Sequence, residues 1–238
     1  MKAKNLVSGS LILLSVTFSY DIYSQFSGSK TGAFDRLSDI GSPLIPGKAS
    51  YSEPFQKYLL SGSGSNIWFG EDSFTFLWKK MNGDFIIQTR LSFLGQGHEL
   101  HRKAGLMIRK SAGSNSPVVS CTVHGDGLTS LQYRKNPGEN MEEIKFEITA
   151  PDVLQLEKKG KNFIMSVAHF GETYMTQSIE IPGFETDLLT GLFICSHNNE
   201  YSEEAEFLNT RIFNTAPDDL VQYTSYIGSL LEVMEVET

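Results

Sequence analysis

From about Leu37 to Ile212 the chain is a succession of short apolar or alternating segments, each closed by Gly, Pro, Asn or Ser within roughly ten residues. That rhythm leaves little room for helices, which need apolar positions recurring on a 3.6-residue period over roughly 8–20 residues. It restricts the fold to an all-β sandwich or barrel. The spacing predicts strands over residues 50–60, 74–80, 83–94, 104–110, 118–124, 128–135, 142–148, 153–158, 162–170, 174–181, 188–196 and 204–212. Turns are expected at 61–65, 82–83, 95–97, 113–117, 125–127, 136–138 and 159–162, where Gly, Pro and Asn collect.

Two of these segments carry finer information. Val153-Leu154-Gln155-Leu156-Glu157 and Phe163-Ile164-Met165-Ser166-Val167-Ala168 flank Gly160, which reads as a β-hairpin with glycine at its turn. In 118–124, Ser120, Thr122 and His124 share one face while Val119, Cys121 and Val123 share the other, because side chains alternate along a strand. One apolar and one small, polar face suit a sandwich with an open, concave sheet.

The N-terminus has a different character. Lys2 and Lys4 precede a mostly apolar stretch from Leu6 to Tyr20 that ends in short polar residues at Ser24 and Gln25. This is the order of a secretory signal peptide, expected over residues 1–24 and followed by a short leader over 25–36. Ser8, Gly9, Ser10 and Ser15 interrupt the apolar stretch, leaving it short of the roughly 20 residues that span a membrane. The expectation is an exported protein, periplasmic or extracellular, that does not span the membrane once the signal is removed. A net charge of −8 with no cluster of Lys and Arg argues against phosphate backbones and anionic lipid surfaces as partners. Export permits a disulfide between Cys121 and Cys195, yet each lies in an apolar run where cysteine also serves as a small core residue. Neither has a second cysteine at zinc-ligand spacing.

Polar and aromatic residues gather where strands run into turns: Trp68, Arg109, His124, Asp126, Gln132, Arg134 and His197. Neighbouring strands point alternate residues the same way, so these seven are the candidate ligand-binding set. Aromatic faces cover the apolar side of a sugar ring, and Arg, Gln and Asp bond its hydroxyls. The same residues would equally make a satisfied polar network on the sheet, since buried polar groups must be bonded. Ser61-Gly62-Ser63-Gly64-Ser65 is not a phosphate loop: no Gly-Lys-Ser/Thr follows and no helix opens after it. The histidines of Gly97-His98-Glu99-Leu100-His101 are three apart rather than four, so this segment reads as a solvated loop instead of a metalloprotease helix. Glu204 and Glu206 share a strand face as two catalytic carboxylates would, but the acidic run around them reads as a solvated edge strand. No catalytic residue, metal ligand or cofactor is expected, and nothing in the sequence indicates a calcium site.

Several segments together resemble a concanavalin-A-like domain family of unknown function, described as regulation-of-enolase-like. They are Asp39-Ile40-Gly41, residues 61–68, Gly83-Asp84-Phe85, Lys103-Ala104-Gly105-Leu106-Met107-Ile108-Arg109, His124-Gly125-Asp126-Gly127 and Gln132-Tyr133-Arg134. The resemblance spans about Leu37 to Ile212 and implies a jelly-roll sandwich of two antiparallel sheets, over 37–213, related to lectins and carbohydrate-binding modules. A closer likeness is to bacterial TolB-like proteins, which carry this sandwich ahead of a β-propeller. Residues 214–238 then resemble a linker followed, over Tyr226 to Thr238, by the propeller's opening strand, with Leu230 to Val236 alternating, poorly anchored in a truncated or split relative. The expected function is a non-catalytic module binding a glycan or polysaccharide on the concave face. The alternatives are a glycan hydrolase of the same fold, or a protein-interaction domain serving the missing propeller.

Overall fold

Fourteen strands account for nearly all the regular structure in a computed structural model that describes residues 31–215. They are β1 (Arg36–Ile40), β2 (Lys48–Ser52), β3 (Lys57–Gly64), β4 (Phe74–Met81), β5 (Phe85–Leu94), β6 (Lys103–Arg109) and β7 (Val118–His124), then β8 (Thr129–Arg134), β9 (Glu142–Lys145), β10 (Val153–Lys159), β11 (Asn162–Ala168), β12 (Met175–Glu180), β13 (Leu188–Cys195) and β14 (Asn198–Asn214). No helix occurs among the described residues. The expected signal peptide, the leader up to residue 30 and the tail from 216 onward lie outside them.

The strands form two antiparallel seven-stranded sheets, ordered β1-β4-β13-β6-β7-β8-β9 and β12-β11-β10-β5-β14-β3-β2. Their facing sides supply one apolar core. Leu77, Leu106, Ile108, Cys121, Leu131 and Leu192 enter it from the first sheet, and Leu60, Ile87, Leu156, Phe163, Met165 and Phe207 from the second. Each of these alternates along its strand with an outward residue, so the pleat itself sorts the sequence into core and surface. The result is a jelly-roll β-sandwich. Phe34, ahead of β1, plugs one margin of the core, its ring edge-on to Tyr58 at 5.2 Å.

A second apolar cluster lies on the far side of the first sheet. Phe74, Phe76 and Trp78 of β4, Phe193 of β13 and Met107 of β6 are buried there together with Ile67 from the β3–β4 connection. An exposed sheet face would not bury rings of this size, so the connection is folded down over it.

Three sequence expectations are corrected. The segment 50–60 is not one strand but the β2–β3 hairpin, because Glu53-Pro54-Phe55-Gln56 turns the chain and Gln56 takes φ +48°. The Ser-Gly run after it is not a turn: β3 continues to Gly64, and its glycines are required because a Cβ at Gly64 would lie 2.0 Å from the backbone oxygen of Ser73. Glu204 and Glu206 do not lie on an edge. β14 is an interior strand between β5 and β3, and Glu206 faces outward beside Lys57 at 3.6 Å.

The β10–β11 hairpin and the faces of β7 match the expected pattern, whereas β1 falls outside the expected strands and β14 begins at Asn198, ahead of the expected residue 204. β10 and β11 pair from Val153↔Ala168 to Lys159↔Asn162 around Gly160 at φ +57°. The inward set of β7 is Val119, Cys121 and Val123, as its alternation indicates.

Candidate functional site

Register across β13, β6 and β7 sets Cys195, Lys103 and His124 side by side in one row on the outer face of the first sheet. One row further in stand Phe193, Gly105 and Thr122, then Gly191, Met107, Ser120 and Gln132. Over this face runs the β3–β4 connection, closed by the Asn66–Ser73 bridge. Lys103 Nζ donates to Asn66 Oδ1 at 3.0 Å and to the Ile67 carbonyl at 3.2 Å, and sits 5.5 Å from the centroid of the Trp68 ring. Trp68 O in turn accepts from the Met141 amide at 2.8 Å, which anchors the backbone that carries the half-buried indole.

Between this connection and the strand ends is a half-open cavity of about 290 Å³. Lys103 and His124 line its interior, with Asn66 and Trp68 on one wall. His101, His197, Leu128, Glu143 and Lys145 complete the wall and rim. The three imidazoles converge, with the His101 ring 5.9 Å from that of His124 and 5.6 Å from that of His197. Among the described residues no group of three or more His, Cys, Asp and Glu side chains is arranged to hold a metal ion.

Burial and the nearby Lys103 ammonium push the His124 pKa down to about 3, with Asp126 opposing. Burial, again with Lys103, lowers that of His197. Both rings are therefore neutral at neutral pH, each able to donate from one nitrogen and accept at the other. Gln132 Nε2 lies 3.2 Å from His124 Nε2 and also donates to Ser130 Oγ at 3.0 Å. With the amide donating, the ring proton is on His124 Nδ1. That buried atom has no hydrogen-bond partner among the described residues, and neither does Gln132 Oε1. His197 adopts φ +61°, a left-handed conformation that a non-glycine residue holds only when its surroundings dictate it.

The structure sorts the seven expected binding residues into three groups. Trp68, His124 and His197 meet in the cavity, and Gln132 supports His124 from behind. Arg109 and Arg134 do not reach it. Both are fully buried around Asp72, with Arg109 Nη1 at 2.6 Å from Oδ2 and Arg134 Nη2 at 2.7 Å from Oδ1. Their remaining donors hold backbone carbonyls of Ser111, Gly113, Ser116, Glu139 and Phe69. Asp126 is exposed in the β7–β8 turn, where Oδ1 accepts from the Leu128 amide at 3.0 Å.

Sequence reasoning misses Asn66, His101, Lys103, Glu143, Lys145 and the anchor Asp72. Lys103 carries a signal: it shares a strand face with Gly105, Met107 and Arg109, so it occupies the same face as the expected binding residue Arg109. His101 is exposed, as expected of a solvated loop, but that loop folds back to the strand ends. There Arg102 is buried against Glu203 at 2.6 Å, and His98 Nδ1 lies 3.2 Å from the same carboxylate.

No protein-family model matches the chain, and no curated protein sequence matches it. Solved structures do share its fold. A functionally unknown protein from Saccharomyces cerevisiae superposes with a TM-score of 0.56 at 15% identity, over 76% of this chain and 97% of that one. A protein of Mycobacterium tuberculosis described as an immunostimulatory antigen and pseudo β-1,3-glucanase superposes with a TM-score of 0.50 at 10% identity, over 76% and 91% of the two chains. At these identities the likeness is one of fold: a jelly-roll β-sandwich of two antiparallel sheets.

Proposed function

We propose that the cavity on the outer face of the first sheet binds a saccharide and does not cleave it. The observation that carries this reading is the lining itself. The Trp68 ring offers an apolar face for one side of a sugar, and Asn66, His101, His124 and His197 surround it with directional hydrogen-bonding groups suited to hydroxyls. Hydrolysis of a glycosidic bond ordinarily needs two carboxylates roughly 5–10 Å apart. Among the described residues the cavity brings in one, Glu143, which already pairs with Lys145 at 3.2 Å.

Export to the envelope, and descent from a TolB-like arrangement with a propeller, belong to the same proposal. They are supported by the N-terminal cationic-apolar-polar order and by the alternating apolar pattern in the sequence of residues 230–236.

Isothermal titration with a panel of oligosaccharides tests the binding reading. Wild-type protein is expected to bind at least one member, and Trp68→Ala to weaken that binding about tenfold or more. Failure of every saccharide to bind would overturn the reading, and release of new reducing ends by wild-type protein would replace it with a glycan-cleaving enzyme. Fractionation of tagged full-length protein tests export: recovery with the cytoplasm would sink that part.

A further inference from the structure

Five lysine and arginine side chains are buried among the described residues, and four have a carboxylate. Arg102 has Glu203 at 2.6 Å, Arg109 and Arg134 share Asp72 at 2.6 and 2.7 Å, and Lys158 has Asp84 at 3.4 Å. Lys103 is the exception. It is 2% exposed, and no carboxylate of the described residues reaches its Nζ within 4.0 Å. Its acceptors, Asn66 Oδ1 and the Ile67 carbonyl, are neutral and use two of its three N–H donors. A desolvated ammonium facing only neutral dipoles is an unfavourable arrangement that folding alone does not call for. Burial accordingly lowers its pKa, with Cys195, Asp72 and Glu143 opposing from a distance.

Lys103 is also the buried cation that lines the cavity, and a second feature there points the same way. His124, 6% exposed and paired in register with Lys103, has a buried Nδ1 with no hydrogen-bond partner among the described residues. Glu143, the carboxylate on the cavity wall, is held by Lys145 and leaves Lys103 unneutralised. A cation without a counter-ion beside a polar atom without a partner describes a site that one anionic group would complete.

We infer that the saccharide taken by this cavity bears an anionic substituent, a carboxylate or a sulfate ester, seated against the Lys103 ammonium. This rests on the saccharide reading and adds the chemical class of the sugar. An acidic protein segment is the competing source of negative charge. It is disfavoured because the lining offers one indole and a ring of single hydrogen-bonding groups rather than an exposed strand edge.

The test is calorimetric titration of the full chain with four probes: a uronic-acid oligosaccharide, the same oligosaccharide with its carboxyls reduced to alcohols, a neutral-backbone oligosaccharide carrying sulfate esters, and poly-glutamate. Either anionic saccharide is expected to bind at least about tenfold tighter than the reduced one, since a charge-assisted hydrogen bond is roughly twice as strong as a neutral one. Whichever of the two binds names the anionic group. Lys103→Met, which keeps the stem and removes the charge, is expected to melt near wild type and to lose that preference; Lys103→Arg is expected to keep part of it. Should Lys103→Met fail to fold, the four wild-type titrations still decide. Equal binding of the uronate and its reduced form, with the sulfated sugar no tighter, overturns the anionic inference and leaves the saccharide reading standing. Binding of poly-glutamate tighter than any saccharide overturns both, as does binding by none of the four.

Discussion

Arg134 grips Asp72 with two nitrogens, Nη2 on Oδ1 at 2.7 Å and Nη1 on Oδ2 at 3.0 Å, across 62 residues of sequence. Arg109 takes the other side of the same carboxylate. The triad has no exposed surface, and its spare donors hold the carbonyls of three separate connections. It therefore acts as the strut that lays the β3–β4 connection, and with it Asn66 and Trp68, across the sheet. Asp72→Asn leaves two guanidinium groups buried against a neutral amide, and breaking a buried pair in this way costs about 3–5 kcal/mol. A urea unfolding midpoint well below wild type is the expected result. Replacing all three residues by apolar ones of similar volume is expected to recover much of the loss. An Asp72→Asn midpoint equal to wild type would remove the triad from this role.

Stability also follows the protonation of His124. In an unfolded chain a histidine titrates near pH 6.5, whereas His124 in the fold resists protonation down to about 3. Between those values the unfolded state binds one more proton than the folded state. Its contribution is therefore complete above pH 6.5 and is lost as pH falls through the window. The charged and titratable groups facing it are Lys103 on β6, Asp126 in the adjoining turn, and His101 and His197 from the neighbouring loops. Urea midpoints measured across this window are expected to decline more steeply for wild type than for His124→Gln, which lacks the ionisable ring. Parallel declines would show that His124 is not the group responsible.

What is legible in the sequence is what depends on near neighbours. The β7 alternation marks its two faces, and Gly160 marks the β10–β11 turn, because both are decided within a few residues. Arg109 and Arg134 are different. A cation on a sheet face looks the same in sequence whether its partner is a ligand or an aspartate 62 residues away, and only the folded β3–β4 connection brings Asp72 to them. Lys103 escapes notice for the converse reason: it heads an apolar strand, and nothing local says that no carboxylate will arrive. The Ser-Gly run misleads because glycine marks both flexible turns and close backbone approach, and the strand it approaches lies beyond the next connection.

Gly64 makes that last distinction measurable. Its φ is +147°, and a Cβ there would meet Ser73 O at 2.0 Å and Ser73 C at 2.6 Å, both of them backbone atoms that cannot swing aside. Gly95, at φ +71°, has nothing within 4 Å of the place a Cβ would take. Gly95→Ala thus bears only the strain of a left-handed alanine, roughly 1 kcal/mol. Gly64→Ala must also displace β3 from the connection it packs on, which typically adds about 1–3 kcal/mol. Thermal melting is expected to show Gly64→Ala as the less stable of the two variants. A Gly64→Ala protein as stable as Gly95→Ala would return the segment to the status of a tolerant turn.

The two cysteines give a prediction that separates the faces of one sheet. Cys121 pairs in register with Leu106, which pairs with Leu192, and three residues on from Leu192 along β13 stands Cys195. An odd offset reverses the side of the sheet, so Cys121 enters the inter-sheet core while Cys195 joins the cluster under the β3–β4 connection. A disulfide between them would have to pass through the sheet, and both are free. Burial pushes both thiols upward, Cys195 to about 11, and its Sγ lies 3.4 Å from the Ser73 carbonyl. Neither thiolate forms at neutral pH, and the thiolate is the reactive species. An aromatic disulfide reagent is therefore expected to titrate no thiol in the native protein and both after denaturation, and a reductant to leave the melting temperature unchanged. Rapid native labelling confined to Cys195 would mean that the connection carrying Asn66 and Trp68 lifts from the sheet in solution. The cavity wall would then be a mobile flap rather than a fixed surface.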